Sequence, residues 1–265
     1  MHQNPFDQQA PIPGVQNIIA VGSGKGGVGK STVAVNLALA LSKDNKKVGL
    51  LDADLYGPSI PRMLGLLHQK PQMHKSGKIS PLVRQNIQLM SIGFLVDENQ
   101  ALIWRGPMLF KVMDQFFRDV DWGELDYLII DLPPGTGDVT LTMAQKVPIN
   151  GAITVCTPQN LAFADTKKAL DMYEKINIPQ LGVVENMAYM LDPENNRRIQ
   201  IFPKGEMDSY LESKKIPKLA EIPFHTDVSI SSETGVPIVI SHPESIEAKA
   251  FASIAVKIQK ELTSL

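Results

Sequence analysis

The sequence predicts an α/β fold with a mostly parallel sheet of about seven or eight strands and helices on both faces. The first observation is a short apolar run at 18–21, followed by a glycine-rich stretch and then by a helix-prone apolar segment. The second is that apolar runs of strand length recur along the chain, and two of them lead directly into aspartates. Strand, loop and helix in this order are typical of doubly wound parallel sheets.

The individual elements follow from local patterns. The predicted strands are apolar runs rich in aliphatic residues, at 18–21, 48–51, 87–92, 127–130, 152–156, 181–185 and 219–222. Besides the helix that begins near Lys30, helical spacing of apolar residues predicts helices at 107–117, 162–175 and 245–262. The last helix carries few basic residues, which favours packing on the sheet over a membrane-targeting role. The polar stretch from Gly65 to Ser80 is predicted to be irregular.

Length and composition limit the classes of function. At 265 residues we expect one domain over 17–265, behind a flexible, proline-containing lead at 1–16. The net charge of −2 offers no general attraction for nucleic acid or anionic membranes. No apolar run reaches the roughly 20 residues of a membrane span, and the first residues lack an apolar signal core. We therefore expect a cytoplasmic protein that binds neither nucleic acid nor membrane.

The glycine-rich stretch matches the pattern Gly-x-x-x-x-Gly-Lys-Ser, with Lys30 and Ser31 at its end. Glycines let backbone N–H groups approach phosphate oxygens, and the following helix turns its positive end toward the same anion. Lys30 is expected to reach the β- and γ-phosphates of a nucleotide, and the Ser31 hydroxyl to ligate Mg²⁺. The alternative is a glycine-rich turn before an ordinary helix. The predicted nucleotide-binding residues of this loop are Gly24, Lys25, Gly26, Gly27, Val28, Gly29, Lys30, Ser31 and Thr32.

Two aspartates lie where parallel strands of an open sheet end, which is where such sheets bind ligands. Asp54 follows the second predicted strand and is expected to orient the attacking water or to contact Mg²⁺ through water, with a helix N-cap as the alternative. Asp131 follows the strand at 127–130 and is expected to hold Mg²⁺ directly or through water. The predicted metal-binding residues are therefore Ser31, Asp54 and Asp131.

Lys25 is a second lysine, placed directly after the first glycine of the loop. Chemistry alone leaves a solvated surface lysine as an equal alternative. The run Lys-Gly-Gly-Val-Gly-Lys-Ser at 25–31 resembles the deviant Walker A signature of the group that includes MinD, ParA, the nitrogenase iron protein and the Mrp/ApbC proteins. In that group, the first lysine crosses a dimer interface to the nucleotide of the other subunit. The resemblance implies a MinD-like P-loop ATPase that forms a homodimer across ATP, with Lys25, Lys30 and Asp54 as catalytic residues.

Longer segments resemble the Mrp/ApbC family in particular. They lie at 55–61, 103–108 and 122–138, and the resemblance extends from about residue 15 to the C-terminus. It implies an ATPase that carries iron–sulfur clusters to apoproteins, together with cluster-assembly partners. It also implies adenine contacts from Asn186 and from the segment at Pro223, with a left-handed turn residue as the alternative for Asn186. Arg105 is expected to pair with phosphate or a partner subunit, or to form a structural salt bridge.

The chain departs from that family in its cysteines. Most members carry a Cys-x-x-Cys pair, which two subunits share to bind a bridging [4Fe–4S] cluster, but the corresponding stretch at 189–202 contains no cysteine. Cys156 is the only cysteine, and its place within a strand predicts a buried, inert thiol. The cluster is therefore implied by resemblance alone. The alternatives are a MinD/ParA-like positioning or scaffold protein without a cluster, or a nucleotide sensor with little turnover.

Overall fold

The computed structural model describes residues 9–55, 57–95, 106–135, 137–203 and 205–264. Its strands are β1 (Val15–Ser23), β2 (Val48–Asp52), β3 (Gln72–Met73), β4 (Ile79–Ser80), β5 (Leu82–Arg84), β6 (Ile87–Ser91), β7 (Leu125–Asp131), β8 (Gly151–Cys156), β9 (Gln180–Glu185), β10 (Met190–Leu191), β11 (Arg198–Ile199) and β12 (Lys218–Glu221). Its helices are α1 (Lys30–Lys43), α2 (Ile60–Met63), α3 (Gly106–Arg118), α4 (Asp138–Lys146), α5 (Asn160–Lys175), α6 (Met207–Lys214), α7 (Thr226–Glu233), α8 (Ile238–Ser241) and α9 (Ile246–Ser264).

The central sheet has eight strands in the order β12-β9-β8-β1-β7-β2-β6-β5. Its neighbours pair in parallel except β5 and β6, which form an antiparallel hairpin at one edge. The hairpin turn places Gln85 at φ 51° and Asn86 at φ 62°, and two left-handed residues are what a two-residue hairpin turn favours. The predicted parallel sheet with seven or eight strands is confirmed.

Helices cover both faces of this sheet, as predicted. The alternation of side chains along β1 sends Ile19 and Val21 into one hydrophobic core, and Ile18 and Ala20 into the other. The first core is covered by α1 and α9, and the second by α3, α4 and α5. Phe251 of α9 is fully buried in the first core. The prediction that the C-terminal helix packs on the sheet is therefore correct.

The seven predicted strands are all present, but the prediction missed shorter elements. β5 has only three residues, and β3 and β4 form a small hairpin within the stretch expected to be irregular. Such short strands carry too few residues to show a periodic pattern. Within the described part of the chain, no helix is long and apolar enough to cross a membrane.

The predicted flexible lead at 1–16 needs a correction. Residues 1–8 lie outside the described residues, but Ala10, Pro11 and Ile12 are held in place. Arg118 donates hydrogen bonds to the carbonyls of Ala10 and Pro11, both at 2.8 Å, and Ile12 is only 2% exposed. The backbone N–H of Ala10 also donates to the carbonyl of Lys146 at 3.0 Å. These contacts order the segment before β1, and they come from α3 and α4, far along the sequence.

Candidate nucleotide-binding site

The carboxyl ends of β1, β2 and β7 meet at one edge of the sheet. Asp131 pairs in register with Val21 on one side and with Asp52 on the other, so the ends of the three strands lie side by side. A cleft of about 440 Å³ opens at this edge. It is lined by the loop between β1 and α1, by Asp54 and by Asn186. The structure thus brings most of the predicted site residues together around one cavity.

The loop between β1 and α1 needs its glycines for close approach. Gly27 and Gly29 have φ of 77° and 83°, a region that residues with a Cβ rarely adopt. A Cβ on Gly29 would also lie 2.2 Å from Nδ2 of Asn186, and a Cβ on Gly24 would lie 2.2 Å from the carbonyl carbon of Asp165. The first turn of α1 starts immediately afterwards at Lys30, so its N-terminus adjoins the cleft.

Lys30, Ser31 and Asp131 form one network at the start of α1. The Lys30 ammonium donates to Oδ1 of Asp131 at 2.7 Å and lies 3.4 Å from Oδ2 of Asp54. The Ser31 hydroxyl donates to Oδ2 of Asp131 at 2.5 Å. Lys30 is 6% exposed and Asp131 is 0% exposed, so this ion pair lies inside the protein. The charges predicted to act on a nucleotide and its metal are therefore adjacent.

Asp52 is a further acidic residue at this site, and its sequence context predicted no role for it. Burial and the neighbouring Asp131 raise the pKa of Asp52 to about 8. Burial also raises the pKa of Asp131, against the opposing effect of Lys30. The Asp52 carboxylate accepts hydrogen bonds from the Ser91 hydroxyl and from two backbone N–H groups. The one sign in the sequence that Asp52 belongs to this site was its position two residues before Asp54.

The side chains present fit a hard divalent cation. Ser31, Asp54 and Asp131 offer oxygen atoms, which Mg²⁺ prefers. Among the described residues, no group of three or more His, Cys, Asp or Glu side chains could hold a metal ion by itself. Mg²⁺ usually keeps several water ligands and binds through one or two carboxylates and substrate phosphates, so a partial set of protein ligands suits it.

The cleft is also lined by Asn186, Met187, Pro223 and Phe224. Nδ2 of Asn186 donates to the carbonyl of Val28 at 2.9 Å, which ties this part of the wall to the glycine-rich loop. The left-handed turn residue here is Met187, at φ 53°, and Asn186 has no positive φ. The alternative given for Asn186 is therefore wrong, and its side chain faces the site.

Two short helices supply parts of the cleft wall that were not predicted from the sequence. Arg62 of α2 and Ser229 and Ser232 of α7 also line it. Both helices are short and carry no strong apolar pattern, so the sequence offered no signal for their position. Arg105 lies outside the described residues.

Cys156, at the end of β8, does not line this cleft. It is 1% exposed among Leu170, Val183, Met207 and Leu211. Burial, and secondarily Glu185, raises the pKa of its thiol to about 12. The prediction of a buried cysteine within a strand is correct, and such a thiol stays protonated and unreactive at neutral pH.

The stretch that carries cysteines in the resembling family forms the hairpin of β10 and β11. Met190 and Ile199 pair across it. Its tip is closed by polar side chains, because Oδ2 of Asp192 accepts from Nδ2 of Asn195 at 3.0 Å and Oδ1 accepts from the backbone N–H of Glu194 at 2.8 Å. Hydrogen bonds therefore order this tip with no thiolate present in the segment.

The fold and the site together define a P-loop nucleotide-binding protein of the MinD/ParA type. The chain belongs to the ParA family described as NUBPL iron-transfer P-loop NTPases, whose family model matches residues 14–259. The matched range includes the glycine-rich loop, Asp54, Asp131 and Asn186. The resemblance drawn from the sequence is confirmed.

Similar proteins support this assignment. The iron-sulfur cluster carrier protein of Aquifex aeolicus is 50% identical over 254 residues, covering 96% of this chain and 70% of that protein. The iron-sulfur cluster transfer protein NUBPL of Dictyostelium discoideum is 45% identical over 262 residues, covering 98% and 81%. The nucleotide-binding protein of Archaeoglobus fulgidus, solved in complex with ADP, has a TM-score of 0.74 at 42% identity, covering 84% and 88%. The cell division ATPase MinD of Pyrococcus furiosus has a TM-score of 0.67 at 26% identity, covering 92% and 99%.

Proposed function

We propose that this protein is a Mg²⁺-dependent ATPase that works as a homodimer across the nucleotide and acts as an iron–sulfur cluster carrier or assembly factor. The observation that carries the proposal is the network of Lys30, Ser31 and Asp131 beside the glycine-rich loop. It supplies one cation for phosphate and two oxygen ligands for a metal. Residues 17–265 would form the ATPase domain, and the cytoplasm remains the predicted location.

In the proposed complex, the triphosphate lies against the N-terminus of α1. Lys30 exchanges its contacts with Asp131 and Asp54 for the β- and γ-phosphates, while backbone N–H groups of the loop 24–32 surround the phosphate oxygens. Ser31 and Asp131 would hold Mg²⁺, with Asp54 acting directly or through water. When bound, Mg²⁺ neutralises charge on the β- and γ-phosphates.

Hydrolysis is assigned to two further side chains. Asp54 lies beside Lys30 and would orient the attacking water toward the γ-phosphate. Lys25 also lines the cleft, and it would act on the nucleotide of the partner subunit. A cation aimed at developing charge stabilises the transition state more than the bound substrate. Lys30, which contacts phosphate throughout, would serve both binding and turnover.

The proposed base contacts, Asn186 and Pro223, favour adenine over guanine. Because Nδ2 of Asn186 is used on the carbonyl of Val28, its Oδ1 is left to accept a hydrogen bond. Pro223 has no backbone N–H, so its backbone polar group is a carbonyl acceptor. Two acceptors suit the amino group of adenine, whereas guanine presents a carbonyl oxygen at that position.

The proposed role as a carrier of iron–sulfur clusters, here called the cargo role, rests on the relatives. They are named iron-sulfur cluster carrier or transfer proteins. Apoproteins and cluster-assembly proteins are the partners this role implies. The alternative is an ATP-driven positioning or scaffold protein without a cluster. The absence of a second cysteine favours the alternative, while identity of 45–50% to the carriers favours the cargo role. If a cluster is carried, a partner or a small thiol completes its coordination.

The test of the ATP site is the variant Lys30→Ala, with titration of ATP and Mg²⁺ by calorimetry. Charge-assisted hydrogen bonds contribute about 1.5–3 kcal/mol each, so losing the Lys30 contacts should abolish tight binding. Lys260→Ala, on the exposed side of α9, is the matched control and should bind like the parent. Parental affinity in a folded Lys30→Ala protein would overturn the assignment of this loop.

A further inference from the structure

Asp52 joins the two ends of the connection between β2 and α2. Its Oδ1 accepts from the backbone N–H of Asp54 at 3.2 Å, where the connection starts. Its Oδ2 accepts from the backbone N–H of Ile60 at 3.3 Å, where the connection ends and α2 begins. A single buried carboxylate therefore closes this connection into a loop, and that loop carries Asp54 at the cleft.

Ser91, at the end of the neighbouring strand β6, holds that carboxylate in turn. Its hydroxyl donates to Oδ2 of Asp52 at 2.9 Å and accepts from the backbone N–H of Gly93 at 3.0 Å. Ser91 is fully buried, and its 39-residue separation from Asp52 in sequence shows that tertiary structure makes this contact. The hydroxyl thus fixes which way the Asp52 carboxylate faces.

Gly93 supports the same loop by a second route. A Cβ built on Gly93 would lie 3.1 Å from Cβ of Pro58, so the backbone of Gly93 packs closely against Pro58 in the β2–α2 connection. It would also lie 3.2 Å from Oγ of Ser91. The segment Ser91–Gly93 therefore contacts the connection through a hydrogen bond and through close packing. Neither Ser91 nor Gly93 lines the nucleotide cleft.

We propose that Ser91 is a positioning residue for ATP hydrolysis, which acts through Asp52 to set the place of Asp54. The catalytic part of this inference, the effect on hydrolysis, rests on the proposed function. Its structural part, that Ser91 holds the β2–α2 connection, stands independently of any activity. A water-orienting carboxylate must be placed to within a fraction of an ångström, and a misplacement of 1 Å can reduce turnover by about 100-fold.

The test compares Ser91→Ala and Ser91→Thr, with Ser42→Ala as the control. Thr keeps the hydroxyl and suits the extended backbone of Ser91, at φ −145° and ψ 144°. The Ser42 hydroxyl donates to the carbonyl of Asn86 at 3.4 Å, at an exposed site. We expect Ser91→Ala to lower kcat by about 10- to 100-fold while ATP affinity by calorimetry stays within about twofold. Ser91→Thr should recover most of the turnover, and Ser42→Ala should match the parent.

Hydrogen exchange supplies a readout that does not depend on hydrolysis. In Ser91→Ala, the amides of Asp54 and Ile60 should exchange faster than in the parent, because their shared acceptor is no longer held. Gly93→Ala should give the same change through Pro58, without removing the hydroxyl. Parental exchange at these amides in Ser91→Ala, or a kcat that falls only in proportion to lost folded protein, would overturn the proposal. If Ser91→Ala shows the faster exchange but the parent binds ATP without hydrolysing it, the proposed ATPase activity and the catalytic consequence are refuted, while the structural part of the proposal stands.

Discussion

The ammonium of Lys25 donates to Oε1 of Gln159, 3.3 Å away, across the mouth of the glycine-rich loop. Gln159 directly precedes α5, so this contact joins two elements that begin at the same sheet edge. In the single chain, Lys25 is therefore directed to a neighbour within its own subunit. The proposed action in the partner's site requires Lys25 to exchange this contact for a phosphate oxygen.

We predict that Lys25→Ala binds ATP with parental affinity but loses about 100- to 1000-fold in kcat, the usual effect of removing one preorganised transition-state donor. Calorimetry and steady-state phosphate release measure the two quantities. Gln159→Ala is the matched comparison, because it removes the intrachain acceptor and leaves the lysine. It should retain turnover. Equal losses in both variants would show that the contact, rather than the trans role, matters.

Asp54→Ala should trap an ATP-bound dimer. Removing the carboxylate beside Lys30 removes the group that would orient water, but it leaves Lys30, Ser31 and Asp131 to bind the nucleotide. Light scattering with ATP and Mg²⁺ should show a persistent dimer, and phosphate release should be near background. Asp121→Ala, an exposed aspartate outside the cleft, should cycle like the parent. A monomeric Asp54→Ala protein in ATP would contradict the prediction.

The purified protein should not hold a stable [4Fe–4S] cluster in a bridging site. Such a site needs four ligands, normally thiolates, and a dimer of this chain has one buried Cys156 per subunit. Anaerobic reconstitution with iron and sulfide, followed by desalting and iron analysis, should give far less than four irons per dimer. Four irons per dimer without an added partner would refute the prediction, and loss of that iron in Cys156→Ser would identify the ligand.

Cys156 should also resist alkylation in the native protein over a wide pH range. Only the thiolate reacts, and burial raises the pKa of this thiol to about 12, so the thiolate fraction and the native labelling rate should stay very low even at pH 9. In denaturant the thiol recovers an ordinary pKa near 8.5, and labelling should accelerate as the pH approaches that value. Iodoacetamide labelling read by mass spectrometry measures both rates. Fast native labelling that rises with pH would place Cys156 outside the core.

Local sequence patterns predicted the elements and site residues that depend only on residues close together in the chain. The glycine loop, Lys30 and Ser31 lie on consecutive residues, and Asp131 follows a strong apolar run, so the sequence revealed both. The structure places them in one network, although their roles toward nucleotide and metal remain predictions. Seven strands were found because each is a short segment in which apolar residues predominate.

The features that were missed depend on distant parts of the chain. Asp52 owes its role to Ser91, and the order of the lead at Ala10 depends on Arg118, more than 100 residues away. No local pattern encodes such contacts. Arg62 and α7 reach the cleft only because α2 and α7 pack together, which is again a matter of tertiary structure.

The position of β1 in the sheet has a consequence for how the chain folds. β1 precedes the other strands of this sheet in the sequence, yet its two neighbours are β7 and β8, which start at residues 125 and 151. At about 5–20 residues per second, the ribosome needs several seconds to produce them, and until then the apolar residues of β1 have no strand to pair with. Such high contact order makes folding slow. The nascent chain therefore passes through an interval in which the strand that leads into the phosphate-binding loop is unpaired and prone to aggregation.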